Sequence, residues 1–449
     1  MNVTGDLTMT TFQRWPFMPG SIQTPAQQQQ WWQDCFVNTP EITRFVEAEA
    51  SAVLVGSAGC GKSTAVAALR HKLNESTLLI PYLPQHWPGG SRPWVPGGSH
   101  LSQILAAAAT EVTRQLSEKP ELFTVISRDE LQYQFLNWLV EKHLGRRALS
   151  RLYQRLRQLI PPPTFPEPSD DLYPLDAGQA DVWNLLDELV SLTKALGYLR
   201  IFLIIDLNKL EAEVHLGDLG KLMGWLELFE YPEFAIRAAL PNSTAKQLNL
   251  LRADNGRFPV IRLRNDEVTT KQIIGKHLQV ATGGVYDSLE RMVETAVYQR
   301  AAAEIGRLYA TQAVAGWLQW AETLLDMKIQ ETSVDDLDDI VFYFYRRHIP
   351  LRLEMSRFGV WRGPQFIPLD QQPYELLKKL FVLRGQSNPE AIKSAAGSQA
   401  NLNTLASRLR KAIEPLPTKK TKNNIRKNIY LHNRRDLGYW LENFLLETA

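Results

Sequence analysis

An α/β fold with a parallel sheet, a helical insertion and a helical lid, followed by a separate basic domain, is predicted by three observations on this 449-residue chain. Five short apolar runs, Val53–Val55, Thr77–Leu83, Ile201–Ile205, Phe234–Leu240 and Val260–Leu263, alternate with stretches of helical spacing, as buried parallel strands do. Gly56-Ser57-Ala58-Gly59-Cys60-Gly61-Lys62-Ser63 satisfies the pattern G-x-x-x-x-G-K-[ST] between the first strand and a helix carrying Val66, Leu69 and Leu73. Charge is divided unevenly: residues 351–449 hold 17 Lys/Arg against 8 Asp/Glu, whereas the other 350 hold 33 against 40. That asymmetry, hidden in a net charge of +2, points to an acidic partner for the C-terminal end.

In chain order, residues 1–50 form an entry segment. The tract Gln27–Gln30 precedes Trp31, Trp32 and Phe36, whose rings are expected to dock on the α/β body; the glutamines read equally as a solvated helix start. Residues 51–265 form the α/β core, with an insertion at about 88–198. The insertion is helical over Leu101–Leu116 and Leu131–Leu159, runs through an extended proline-rich linker at Pro161–Pro168, and returns through a helix near Val182–Leu196. Residues 266–350 are all-helical, with Trp317, Trp320, Leu324 and Leu325 at helical spacing; they read as a lid over the nucleotide or as a bundle that only packs. Residues 351–449 form the last domain.

The chemistry of the glycine-rich loop explains its residue types. Gly56, Gly59 and Gly61 let backbone N–H groups curl around an anion, and the helix that follows adds its positive end. The predicted nucleotide-binding residues are therefore Gly56, Ser57, Ala58, Gly59, Cys60, Gly61, Lys62, Ser63 and Thr64, with a nucleoside triphosphate and Mg2+ as the expected ligands. Lys62 is expected to reach the β- and γ-phosphates, and the Ser63 hydroxyl to ligate Mg2+. The apolar strand Leu199–Ile205 ends in Asp206, placed to hold Mg2+ opposite Ser63; Lys62 and Asp206 are the predicted catalytic pair. Leu207 follows Asp206, so no carboxylate directly adjoins it to activate water. The nearby candidates are Asn208, Glu211 and Glu213, so slow hydrolysis, or a base supplied from Glu211, the insertion or another subunit, is expected.

These motifs, with the strand FAIRAALPNS and the stretch FPVIRLRNDEVTTKQIIGKHL, resemble the STAND branch of the AAA+-related P-loop NTPases, and PFMPGSIQTPAQQQQWWQDCFVNTPEITRF is similar to the entry of bacterial members. The resemblance covers about 15–345. It implies ATP rather than GTP, a polar sensor after the fourth strand at Asn242 or Ser243, and self-association on ATP. The family's Arg-Leu near the end of its last motif reads His277-Leu278 here, and its Glu after Asp206 is absent.

In the C-terminal domain, Gly359–Gly363 and Gln365–Leu369 read as a hairpin, and Pro373–Leu383 as an amphipathic helix with Leu376, Leu377, Leu380 and Phe381 on one face. A second helix, Asn401–Ile413, turns Leu402, Leu405, Leu409 and Ile413 inward and Asn403, Thr404, Ser407, Arg408, Arg410 and Lys411 outward. Lys419, Lys420, Lys422, Arg426, Lys427, the strand-like Asn428–His432, Arg434 and Arg435 follow; between 400 and 435 ten Lys/Arg face one acid, Glu414. A helix with Asn and Arg outward beside a basic hairpin suits duplex DNA, the helix in the major groove and the hairpin on phosphates. The predicted DNA-binding residues are the outward set with Lys419, Lys420, Lys422, Arg434 and Arg435. The order resembles the winged-helix effector domain of OmpR-type response regulators over about 85 residues, through Ser407-Arg408-Leu409-Arg410-Lys411 and Gly438-Tyr439-Trp440-Leu441.

Other classes are not supported. Two cysteines make neither a disulfide framework nor a zinc ribbon, and the eight histidines include no H-x-x-x-H pair. No apolar run approaches a membrane span and the start is not a secretory signal, so a cytoplasmic protein with no membrane partner is expected. The expected function is an ATP-binding switch controlling a DNA-binding winged helix. The alternatives are a signalling or assembly ATPase whose winged helix contacts protein, and a motor that remodels DNA or protein.

Overall fold

The computed structural model describes residues 12–18, 22–84, 87, 100–160, 182–225, 228, 231–251, 258–309, 313–330, 337–355, 357–386, 388–396, 398–416, 428–434 and 438–445. They form two compact units: Asn38–Ser57 with Gly61–Arg264, and the described parts of Met1–Val37, Ala58–Cys60 and Asn265–Ala449. The predicted linker Pro161–Pro168 and the predicted contacts Lys419, Lys420, Lys422 and Arg435 lie outside the described residues.

The first unit is built on a five-stranded sheet of β1 (Ala52–Gly56), β2 (Thr77–Pro81), β3 (Arg200–Asp206), β4 (Phe234–Pro241) and β5 (Val260–Arg262), all parallel, in the order β2-β3-β4-β1-β5. Every residue of β1 and β4 is buried, which is why these strands read as continuous apolar runs rather than as alternation. Around the sheet run α1 (Pro40–Glu47), α2 (Lys62–Leu73), the insertion helices α3 (His100–Glu118), α4 (Glu130–Leu144), α5 (Arg146–Leu159) and α6 (Val182–Ala195), then α7 (Lys209–Val214), α8 (Leu216–Met223) and α9 (Asn242–Gln247). The single helix expected over Leu131–Leu159 is two helices, because Gly145 takes φ +87° and ends the first. One charged side chain lies inside the sheet. Arg237 of β4 is fully buried, donates to the carbonyls of Ala48 and Ala50 after α1, and sits 4.0 Å above the Phe202 ring; burial lowers its pKa to about 10.

The second unit contains α10 (Glu267–Ala281), α11 (Thr295–Leu308), α12 (Val314–Ile329) and α13 (Leu337–His348). A four-stranded sheet follows, β11-β6-β7-β8, from β6 (Leu351–Leu353), β7 (Gly359–Arg362), β8 (Gln365–Pro368) and β11 (Phe444–Leu445). With it come α14 (Gln371–Val382), α15 (Pro389–Ala396), α16 (Gln399–Ile413) and the antiparallel hairpin of β9 (Leu431–Arg434) and β10 (Gly438–Leu441). Three helices followed by a hairpin is the winged-helix order. One continuous core runs from Ile274 to Leu441 and includes Trp317, Trp320, Leu324 and Leu325 of the helices with Leu376, Leu377, Leu402 and Leu409 of the winged helix.

The entry segment belongs to this second unit. Gln13 N–H donates to the Ala281 carbonyl (2.8 Å), Arg14 pairs with Asp326 (2.6 Å), and the Phe17 and Trp31 rings lie 5.9 and 5.8 Å from His277 of α10. The expectation that the tryptophans dock on the α/β body is therefore corrected: Trp31 packs on α10. The glutamines form the short helix Pro25–Gln30, closed by a Thr24–Gln27 capping box, which matches the solvated helix start.

Candidate nucleotide site and basic C-terminal face

Parallel pairing brings the predicted phosphate loop and Asp206 to one edge of the sheet. Gly56 at the end of β1 is opposite Pro241 of β4, and Asp206 at the end of β3 is opposite Ala239. Both thus lie at the carboxyl ends of strands flanking β4, where open α/β sheets bind ligands. The loop then turns into α2, whose first residue is Lys62. Gly59 and Gly61 take φ +74° and +102°, values that side chains rarely tolerate. At Gly59 space is also short: a Cβ there would lie 3.2 Å from Ala313, Ala315 and Tyr309.

Inside the loop Lys62 is buried, and its ammonium donates to the carbonyls of Ser57 (2.8 Å) and Gly56 (3.2 Å). Asp206 is bonded by the Ser63 hydroxyl and sits in the field of Lys62 and Arg70; burial nevertheless raises its pKa above the ordinary 3.8. A half-buried carboxylate beside a hydroxyl and two cations, at a helix N-terminus with glycine-rich backbone, fits a triphosphate with a hard divalent cation. Lys62 and the loop N–H groups would hold phosphate oxygens, and Ser63 with Asp206 would hold Mg2+, which shields the phosphate charge when bound. Among the described residues no cluster of three or more His, Cys, Asp or Glu is placed to hold a metal on its own.

The candidates for a hydrolytic base are committed elsewhere. Asn208 caps α7: its Oδ1 accepts from Glu211 N–H (3.0 Å), and the Glu211 carboxylate accepts from Asn208 N–H (2.9 Å). Leu207 is buried in the core, and Glu213 faces Lys209. Asn242 and Ser243 are exposed on the first turn of α9, directly after the β4 residue opposite Gly56. His277 is buried and its Nδ1 faces the Ile273 carbonyl at 2.8 Å; desolvation lowers its pKa to about 4, so it is neutral and no substitute for an arginine.

Sequence reasoning missed two contacts on the crown of the loop. The buried Asn265 side chain donates to the Cys60 carbonyl (2.8 Å), and Ala315 N–H donates to the Gly59 carbonyl (3.0 Å). Nothing local in the sequence marks either partner.

On the C-terminal face, Leu402, Leu405, Leu409 and Ile413 of α16 are buried, and Asn403, Thr404, Ser407, Arg408 and Lys411 are exposed, as expected. Arg410 departs from that face: it is half-buried and turns to the Leu431 carbonyl of β9. Arg434 is exposed on β9. Glu414, the one acid of the stretch, accepts from the N–H groups of Ile429, Tyr430 and Leu431, each at 2.9 Å, and so anchors the hairpin instead of offsetting the basic face.

No family model matches the chain, and no curated protein matches it. Among solved structures it is similar to the Orc1 protein of Aeropyrum pernix in complex with DNA, at 13% identity and a TM-score of 0.40, over 96% of this chain and 92% of that one. It is also similar to Cdc6p from Pyrobaculum aerophilum, at 12% identity and a TM-score of 0.26, over 96% and 93%. Likeness at that level carries no weight for function, and the α/β class rests on the chain's own parallel sheet and loop. No described helix is long and apolar enough to cross a membrane.

Proposed function

We propose that the chain is an ATP–Mg2+-binding switch of the STAND/AAA+ type whose nucleotide state governs duplex DNA binding by its winged helix. The observation that carries this is the complete loop with Lys62 inside it and Ser63 bonded to Asp206 at the carboxyl edge of the sheet. The basic face of α16 supports the DNA-directed half. Hydrolysis is slow in this reading, because Leu207 is apolar and Glu211 serves as a cap. Self-association on ATP belongs to the same reading.

The test is fluorescence anisotropy of labelled duplex DNA with the full chain, without nucleotide, with ADP–Mg2+ and with ATP–Mg2+, over a salt series. Lys62→Met and Arg408→Glu/Lys411→Glu run alongside. Salt-sensitive binding that changes with nucleotide in the wild type, loses that response in Lys62→Met and weakens in the α16 variant is expected. Duplex binding indifferent to nucleotide and to the α16 variant refutes it.

A second reading, a winged helix that contacts protein, draws on one observation: that domain shares a core with α10–α13. Tight nucleotide binding without duplex binding would establish it over the first.

A further inference from the structure

The insertion carries a surface that the nucleotide site does not use. Helix α5 contains Arg146, Arg147, Arg151, Arg155 and Arg157 and no acidic residue. Leu152 and Leu156 are buried against the insertion, and all five arginines are exposed. Among the described residues Arg146, Arg147, Arg151 and Arg155 make no ion pair.

The long insertion helix α3 differs. On α3, Arg114 is held by Glu111 (2.5 Å) and Glu118 (2.6 Å). On α5 like charges stack at i, i+4 through Arg147, Arg151 and Arg155, which weakens a helix. Two arginines also occupy the first turn, against the positive end of the helix dipole, and Gly145 supplies no side-chain cap. General basicity does not explain it, because the chain outside residues 351–449 is net acidic. The residue type is uniform: arginine, whose planar fork bonds phosphate oxygens in pairs, with no lysine. Arg147, Arg151 and Arg155 rise about 6 Å per step along the axis, a stripe facing a polymer that carries one charge per about 1.7 Å of duplex axis.

We infer that the outer face of α5 is a sequence-independent contact for the phosphate backbone of duplex DNA. The choice of DNA as the polyanion rests on the function proposed above; the charge argument stands without it.

The experiment uses the full chain and a labelled duplex of mixed sequence. Arg147→Gln/Arg151→Gln/Arg155→Gln keeps helix-forming residues and removes three charges; the corresponding triple lysine variant keeps the charge. A binding assay with a fluorescent ATP analogue and a thermal melt verify that both remain folded. The glutamine variant is expected to lose at least about tenfold in affinity near 0.1 M salt, and its slope of log K against log salt to become shallower by about 2–3, with nucleotide affinity unchanged. The lysine variant is expected to recover most of the slope. Glutamine binding within twofold of wild type at unchanged slope overturns the inference, whatever the α16 variant does. A loss in the glutamine variant with none in the α16 variant upholds the α5 contact while refuting the winged-helix output. A wild type that binds no duplex even near 0.05 M salt overturns both.

Discussion

Replacing Asp206 by Asn has opposite effects with and without nucleotide, and the signs follow from the site. The carboxyl is half-buried and desolvation raises its pKa, so ionising it costs the fold stability. For an acid with a raised folded-state pKa, stability is lost as pH climbs through the interval above the ordinary 3.8 and the loss is complete above the folded value. Asn keeps the shape and still accepts from the Ser63 hydroxyl, so the ligand-free protein melts higher. The Mg2+–ATP complex loses a charged contact, about 1.5–3 kcal/mol, a factor of about 10–150 in affinity. With ligand in excess, the stabilisation by Mg2+–ATP shrinks by the same energy, about 3–12 °C of melting shift for a unit of this size. With EDTA present, ATP binding falls little. Thermal melts with and without Mg2+–ATP, with a titration of a fluorescent ATP analogue, measure all of this. A variant that melts lower without ligand, or keeps the full Mg2+–ATP shift, refutes the assignment of Asp206 as the cation's carboxylate.

Two further outcomes are expected. Arg362 is buried and donates to the Ile413 carbonyl at the end of α16 (2.9 Å); Arg362→Met leaves that acceptor bare and costs about 2–3 kcal/mol in urea unfolding, with faster amide exchange confined to the last turn of α16. Buried His277 is neutral with its pKa lowered to about 4, so stability falls as pH drops from 6.5 to about 4 and levels below that, by up to about 3 kcal/mol; urea midpoints across that range are shallower in His277→Phe.

What the sequence disclosed depended on whether a constraint was local. The phosphate loop and the five strands were legible because spacing and burial on both faces leave marks within a few residues. So was α16, with its apolar stripe. Two local signals were passed over. Asn208-x-x-Glu211 has the spacing of a capping box, which removes Glu211 from the list of bases. Asn388-Pro389-Glu390 is a helix start, with the Asn388 side chain capping Ala391 N–H at 3.0 Å, and it opens α15; Ile392, fully buried, anchors it. The remaining misses are long-range. Asn265 reaches Cys60 across 205 positions, and an aromatic pair such as Trp31–Trp32 announces that it will pack without saying against what.

The second unit also constrains how any nucleotide signal can reach the basic face. Glu304 on α11 accepts from Arg307 (2.6 Å) and from the Tyr345 hydroxyl of α13 (3.1 Å). From this cluster Arg307 donates to the Pro415 carbonyl just past α16 (3.1 Å), and Arg362 to that of Ile413. Tyr430, buried at the entry to the hairpin, donates to the Ile349 carbonyl after α13 (2.6 Å), and Asn443 donates to the carbonyls of Tyr345 and Ile349. Swivelling the winged helix against α11 and α13 would unpair several buried polar groups at once, each costing about 1–3 kcal/mol, and would open an apolar core they share. That joint is not a hinge. Helices α11, α13 and α16 therefore respond as one body, and under the proposed function a nucleotide effect on duplex binding must act on that whole body. A chain cut at Pro350 would expose the shared core, so a change in duplex binding on truncation would report unfolding; charge reversal at Arg408 and Lys411, which are exposed, isolates the surface itself.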